Sequence, residues 1–210
     1  MPVFFAALTL RGLPVVVVGG GSVAARKVAT LRRADALVRV VAPDATPGIR
    51  KLARQRRLRW IRSPYRPGFL KGAWLVVTAT SDPATNARVA RDAARRHLFA
   101  NVADDPATGT VLFPAIVRRG PIQVAVSTGG ESPGLAALLR DRLARRITPV
   151  DADLARLIGA VRRRLQSVVT DPRERRRRLQ RLPRLPIRSL LRSGRWSEAR
   201  RVARRAAGLR

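Results

Sequence analysis

The sequence contains no cysteine, a single histidine and few aromatic residues, which make up 4% of its 210 residues. Without cysteine it can form neither a disulfide framework nor a thiolate metal site. Because His97 has no cluster of soft ligands around it in the sequence, we expect no resident transition metal. No apolar run approaches the roughly 20 residues that span a bilayer, and the amino terminus lacks a signal-peptide pattern. We therefore expect a cytoplasmic protein without a membrane partner.

Acidic residues are also scarce: 13 of them stand against 44 lysines and arginines, which gives a formal net charge of +31. Only three of these basic residues are lysines, at positions 27, 51 and 71. Such a charge indicates an anionic partner. Arginine enriched by genomic base composition on solvated faces explains most of it equally well. The scarcity of aromatics and the lack of a zinc-finger or RNA-recognition signature argue against a nucleic-acid partner.

The first half of the chain alternates between short β-branched runs and helical patterns. A strand at 13–18, a helix at 22–34 and a strand at 36–42 predict a βαβ unit. The alternation continues with helices predicted at 47–57 and, after the N-cap candidate Asp82, at 83–97, and with strands at 58–63, 74–80 and 98–103. We expect an α/β fold with a Rossmann-like, doubly wound and mostly parallel sheet.

Beyond residue 113 the pattern becomes that of a small antiparallel and helical region. Extended segments on either side of Gly120 predict a hairpin, and Ser132 with the following proline predicts a helix start. From residue 170 arginines dominate, and we expect short, weakly packed helices with a frayed end. The expected domains are a dinucleotide-binding domain at 1–113, a hairpin plus helix at 114–148 and an arginine-rich helical domain at 149–210.

Three consecutive glycines separate the first predicted strand from the first predicted helix. The pattern Gly19-x-Gly21-x-x-Ala24 in this context predicts a dinucleotide-binding loop. Its first glycine makes the tight turn, its second lets pyrophosphate approach the backbone, and the small third residue lets helix and strand pack closely. The start of the helix then holds the anion. Asp44, just beyond the second strand, either binds the ribose, which favours NAD over NADP, or caps the next helix.

Four segments occur in one order: VVGGGSVAARK (17–27), TATSDPATN (78–86), NVADDP (101–106) and VAVSTGGESPGLA (124–136). Together they resemble the siroheme synthase family, in its precorrin-2 dehydrogenase/sirohydrochlorin ferrochelatase module. The resemblance runs from about Pro2 to residue 165. In some members this module is fused to a uroporphyrinogen methyltransferase, for which a chain of 210 residues has no room.

This resemblance implies NAD⁺-dependent oxidation of precorrin-2 to sirohydrochlorin and, in many members, insertion of Fe²⁺ as a substrate to give siroheme. It also implies a homodimer built on the hairpin and the leucines of the helix that follows. Taken as bare sequence, these elements complete a monomer core equally well. The alternative function is a non-catalytic NAD-binding regulatory module.

The resemblance also implies site residues. Cofactor contacts fall on Gly19, Gly20, Gly21, Ser22, Val23, Pro43, Asp44, Thr78, Thr80 and Asn86. The tetrapyrrole cleft is lined by Ser127, Thr128, Gly129, Gly130 and Ser132. The resemblance implies that Asp104 is the catalytic residue and acts as a general base. The sequence alone instead favours a solvated aspartate in a turn at this position. The chain departs from the family at Thr128, where some members carry serine, and at Asp35, where glycine is common.

Overall fold

The computed structural model describes residues 3–103, 105 and 107–209. The chain divides after Phe113 into two compact units. We call the described residues 3–113 the amino-terminal unit and residues 114–209 the carboxy-terminal unit.

The amino-terminal unit is built on a five-stranded parallel sheet with the order β3-β2-β1-β4-β5. Its strands are β1 (Pro14–Val18), β2 (Leu37–Val41), β3 (Arg59–Ile61), β4 (Leu75–Thr78) and β5 (Phe99–Val102). The central strand β1 pairs with β2 on one side and β4 on the other, so the strand order reverses between β1 and β4. In open parallel sheets ligands bind at the carboxyl ends beside such a reversal.

Three helices cover both faces of this sheet: α1 (Ser22–Arg32), α2 (Pro47–Arg54) and α3 (Pro83–Ala94). Helices α1 and α2 pack on the face that carries Val15 and Val17, whereas α3 packs on the face that carries Val16 and Val18. A strand buried on both faces has no polar side, which is why β1 reads as an unbroken run of valines. The predicted doubly wound α/β fold is confirmed.

The ends of the helices follow local backbone rules. Asp82 caps α3, because its carboxylate accepts hydrogen bonds from the N–H groups of Ala84 and Thr85. Helices α2 and α3 stop three residues before their predicted ends. Arg56 (φ 55°) and His97 (φ 53°) follow them in the left-handed conformation, which ends a right-handed helix. Asp35 is also left-handed (φ 57°), the conformation that glycine adopts most easily.

The carboxy-terminal unit starts with an antiparallel hairpin of β6 (Ala115–Arg119) and β7 (Ile122–Val126), whose turn contains Gly120 (φ 55°). Five helices follow: α4 (Pro133–Arg146), α5 (Pro149–Val168), α6 (Pro172–Arg181), α7 (Ile187–Arg192) and α8 (Trp196–Ala206). Ser132 caps α4 as predicted, since its hydroxyl accepts from the N–H of Leu135.

The arginine-rich tail is well packed, so the expectation of weakly packed helices was wrong. Its apolar side chains join the inner face of α5 in one core, and their arginine neighbours lie on the outside. The fully buried members from the tail are Leu182, Ile187, Ala199, Ala203 and Ala207. Alanines spaced by four residues form one stripe on α8, which is enough to bury a short helix.

The described residues contain neither a helix suited to a membrane nor a cluster of metal ligands. No helix in 3–103 or 107–209 is both long and apolar enough to cross a bilayer. Within the same part of the chain, no three His, Cys, Asp or Glu side chains are grouped so that they could hold a metal ion.

Candidate functional site

The glycine loop lies at the reversal of strand order, between the carboxyl ends of β1 and β4. Gly19 has a φ of 120°, and a Cβ atom on it would lie 2.3 Å from the carbonyl oxygen of Ala79. Its N–H donates to the carbonyl of Val41 at the end of β2 (3.0 Å). Only glycine fits this position, because both the backbone angle and the neighbouring strand exclude a side chain.

The next two glycines differ in what surrounds them. A Cβ atom on Gly20 would lie 2.0 Å from the carbonyl oxygen of Asp44, so the loop is packed directly against the end of β2. A Cβ atom on Gly21 would meet no atom of the described residues within 4 Å. Ala24 is fully buried one turn later, where α1 packs on the sheet. Open space therefore borders the loop at Gly21 and nowhere else among its three glycines.

The start of α1 offers free donors beside this space. Gly21 is the N-cap residue, and none of the side chains that the structure describes caps the helix. The first turn also contains no acidic residue. The N–H groups of Ser22, Val23 and Ala24 have no acceptor within the helix, and the helix dipole adds positive potential there. This arrangement fits a phosphate group, which binds helix starts of this kind.

Two buried hydroxyl groups near the loop lack a partner within the described residues. Thr78 is fully buried at the end of β4, directly across from Val18, and its Oγ1 has no hydrogen bond. The Oγ1 of Thr46 is likewise buried and unpaired, while its N–H donates to the carbonyl of Gly20 (2.9 Å). Buried polar groups are normally hydrogen-bonded, so these two hydroxyls are exceptions among the described residues near the loop. Thr46 was not predicted, and only its closeness to Asp44 in sequence could have indicated it.

The alternative that Asp44 caps α2 was wrong, because Thr46 is the N-cap residue of this helix. The Asp44 carboxylate instead accepts from Arg50, with 2.5 Å between Oδ1 and Nη2. The side chain is 72% exposed, and within the described residues its Oδ2 has no donor. Pro43, also exposed, accepts a long hydrogen bond from Arg62 through its carbonyl (3.4 Å).

Thr80 and Asn86 contact each other across the turn from β4 to α3. The Thr80 hydroxyl donates to Oδ1 of Asn86 (2.8 Å), and Nδ2 of Asn86 donates to the carbonyl of Thr80 (3.2 Å). Asn86 is buried, whereas Thr80 is partly exposed. This pair fixes the segment that follows Thr78 and so shapes the edge of the site.

The candidate base, Asp104, lies outside the described residues. The chain before it is held by β4, because the N–H of Ala103 donates to the carbonyl of Thr78 (3.2 Å). The chain after it returns to β5, where Val111 donates to the carbonyl of Ala100 (2.9 Å). Asp105, the neighbour of Asp104, is exposed and accepts from the N–H of Ala107 (3.1 Å).

The residues predicted to line the tetrapyrrole cleft form the turn between β7 and α4 in the carboxy-terminal unit. Gly129 and Gly130 have φ values of 68° and 98°. The Ser127 hydroxyl accepts from the N–H of Gly129 (3.1 Å), and the Thr128 hydroxyl from that of Ser132 (3.0 Å). Serine would supply the same hydroxyl acceptor as threonine. The hydrogen bond that closes this turn is therefore preserved although Thr128 departs from the family pattern.

Two family models match the chain one after the other. The model described as "Putative NAD(P)-binding" matches residues 6–115, and "Sirohaem biosynthesis protein central" matches residues 119–146. The chain belongs to the siroheme synthase family. The resemblance is confirmed, and this membership supports NAD as the cofactor.

Curated relatives carry the family name. A siroheme synthase of Sodalis glossinidius is 38% identical over 94% of this chain and 42% of its own length. One of Methylococcus capsulatus is 40% identical over 99% of this chain and 43% of its own length. Siroheme synthase 1 of Yersinia enterocolitica is 42% identical over 80% of this chain and 36% of its own length. The chain spans about two fifths of the length of these relatives.

The fold is also found among solved structures. The structure of "SirC, precorrin-2 dehydrogenase" superposes with a TM-score of 0.79 over 97% of this chain and 100% of that one, at 23% sequence identity. This likeness shows that the two chains share a fold.

Proposed function

We propose that this protein oxidises precorrin-2 to sirohydrochlorin with NAD⁺. The observation that carries the proposal is the open space at Gly21 beside the uncapped start of α1. Membership of the siroheme synthase family and the fold shared with a precorrin-2 dehydrogenase support it.

The residues at the loop fit the cofactor as follows. The N–H groups from Gly21 to Val23 would hold the pyrophosphate, and the Oδ2 of Asp44 would accept from the ribose hydroxyls. Thr78 and Thr80 would border the nicotinamide side. We propose NAD⁺ rather than NADP⁺, because a carboxylate that binds the ribose hydroxyl leaves no place for a phosphate there. When bound, NAD⁺ supplies a hydride acceptor.

The oxidation removes a hydride and a proton from precorrin-2, so the protein must supply a base for the proton. We propose the carboxylate of Asp104 for this role. General bases of this kind contribute about 10²- to 10⁴-fold to a rate. Insertion of Fe²⁺, which displaces two protons from pyrrole nitrogens, would use the same carboxylate.

The cytoplasmic location expected from the sequence also stays a prediction.

The test is turnover of precorrin-2 with NAD⁺ by purified protein, followed by NADH absorbance with and without Fe²⁺. We expect NADH to form without Fe²⁺ and the siroheme spectrum to appear with it. Asp104→Asn should lower NADH formation about 100-fold or more, whereas Asp105→Asn, the same change one residue away, should leave it within about threefold. Binding of NAD⁺ without any turnover would instead indicate a regulatory module.

We further propose that the protein is a homodimer. Leu135, Leu138 and Leu143 of α4 are 47%, 48% and 39% exposed, so this helix presents apolar side chains that its own unit leaves uncovered. Light scattering should give the mass of two chains, and Leu138→Lys should give the mass of one. A monomeric wild-type protein would reject the dimer.

A further inference from the structure

Lysine is rare in this protein, and one of its three lysines is in an unusual place. Lys51 and Lys71 are exposed, whereas Lys27 is half-buried on α1, six residues after Gly21. Burial lowers the pKa of its ammonium group, and the neighbouring charge of Arg26 lowers it further. In a chain with so much arginine, a buried lysine suggests that this position requires a compact ammonium group rather than a planar guanidinium.

Lys27 contacts two other segments of the amino-terminal unit. Its Nζ donates to Oδ1 of Asn101 in β5 (3.1 Å) and lies 4.4 Å from the centre of the Phe113 ring. Asn101 is 4% exposed, and its Nδ2 donates in turn to the carbonyl of Val111 (2.8 Å). One ammonium group therefore joins α1, β5 and the segment 111–113.

These contacts connect the cofactor loop with the chain on both sides of Asp104. Helix α1 begins at the glycine loop, and Asn101 precedes Asp104 by three residues in sequence. On the other side, Thr110 and Val111 both donate to the carbonyl of Ala100 (2.8 and 2.9 Å), so the chain returns to β5. In sequence, Asn101 precedes the segment 103–110 and Phe113 follows it, and Lys27 contacts both.

We propose that Lys27 is a positioning residue, which through Asn101 and Phe113 fixes the segment that carries Asp104 relative to the helix that starts at the cofactor loop. This rests on the proposed function. The reaction needs the hydride acceptor and the base at a fixed separation on the same substrate, and a displacement of about 1 Å can cost about 100-fold in rate. Lys27 itself touches no reacting atom in this scheme.

The test compares Lys27→Met, which keeps the apolar stem but removes the ammonium group, with Lys51→Met, the same change on an exposed face of α2. We expect Lys27→Met to lower kcat about 10- to 100-fold while Kd for NAD⁺, measured by calorimetry, stays within about threefold. The amides of Thr110 and Val111 should exchange hydrogen faster in Lys27→Met without any cofactor. Lys51→Met should match the wild type in all three measurements.

Further variants keep the test decisive. If Lys27→Met does not fold, Asn101→Ser shortens the side chain, so that it loses both the acceptor for Lys27 and the donor to the carbonyl of Val111, and should give at least the same loss of kcat. Lys27→Arg should not restore full turnover if the compact ammonium is what the site needs. Unchanged kcat and exchange in Lys27→Met would overturn the assignment while leaving the proposed function in place. Wild-type and Lys51→Met proteins that bind NAD⁺ but do not turn over would overturn both.

Discussion

The two units bury their cores with different side chains. In the amino-terminal unit the core consists of valine runs, such as the four fully or almost fully buried valines of β1. In the carboxy-terminal unit the core consists of single leucines, isoleucines and alanines that alternate with exposed arginines. The first unit is visible in the sequence as apolar runs, and the second is not.

This difference follows from the geometry of strands and helices. A central parallel strand is covered on both faces, so every residue along it is buried. A surface helix buries about one residue in three or four, and the rest face water. In α8 the buried positions are Ala199 and Ala203, and Ala207 follows them directly after the helix. The arginines of α8, at positions 200, 201, 204 and 205, lie between these alanines and are exposed. A helix with few large apolar residues, such as α8, can therefore still join a well-packed core, because its alanines let it approach the neighbouring helices closely.

The strongest test of whether the carboxy-terminal unit has a specific core is to remove one of its large buried side chains. Leu182→Ala deletes a fully buried side chain between α6 and α7 and should destabilise the protein by about 2–5 kcal/mol. Arg176→Ala, on the exposed side of α6, should change stability by less than about 0.5 kcal/mol. Urea unfolding followed by circular dichroism measures both. Equal effects would show that the carboxy-terminal unit has no specific core.

Most of the amino-terminal fold could be predicted from the sequence. Strand β1 was indicated by its valine run, and the start of α3 by Asp82 followed by proline, because these signals are local. The packing of the tail could not be predicted, since the stripe of α8 is recognised only when alanine is counted as a core residue. The ends of α2 and α3 were missed because Arg56 and His97 adopt a left-handed conformation. Arginine gives no signal for it, and histidine is enriched there but still adopts it uncommonly.

For the candidate site, the sequence indicated the glycine loop but not the contacts around it. The pattern left Gly20 as an unspecified position, yet the carbonyl of Asp44 lies where its Cβ would be. Lys27 and Asn101 both belong to quoted segments, but their hydrogen bond joins residues 74 positions apart. Contacts of this range depend on the tertiary fold and have no local signal.

A second prediction concerns the amino-terminal unit, where the glycine loop is held by close backbone contacts rather than by buried side chains. Gly20→Ala places a methyl group against the backbone of Asp44 and should cost about 1–3 kcal/mol of stability, with at least a tenfold loss of NAD⁺ affinity. Gly21→Ala should cost less than about 1 kcal/mol of stability, because alanine is a poorer N-cap than glycine but its methyl group meets no atom of the described residues, and it should mainly weaken NAD⁺ binding. Thermal unfolding and calorimetry separate the two, and equal stability of both variants would contradict the packed loop.

The smallest expected effect concerns Asp151, which connects two helices of the carboxy-terminal core. Its Oδ1 accepts from Nε of Arg188 in α7 (2.6 Å), and its Oδ2 accepts from the N–H and hydroxyl of Thr148 at the start of α5 (2.7 and 2.8 Å). The Arg188 contact first, and the Thr148 contacts next, hold the pKa of Asp151 well below its usual value of 3.8. Asp151→Asn should therefore cost about 1 kcal/mol at neutral pH.

The pH dependence of this cost follows from linkage. Because the pKa is lower in the folded than in the unfolded protein, the unfolded state takes up a proton first as the pH falls. The contribution of Asp151 is thus complete above its unfolded pKa and shrinks as the pH drops below about 4. Urea titrations of wild type and Asp151→Asn at several pH values should show a gap in stability that closes towards low pH. A gap that stays constant down to about pH 3 would mean that Asp151 stabilises the helices by its shape and not by its charge.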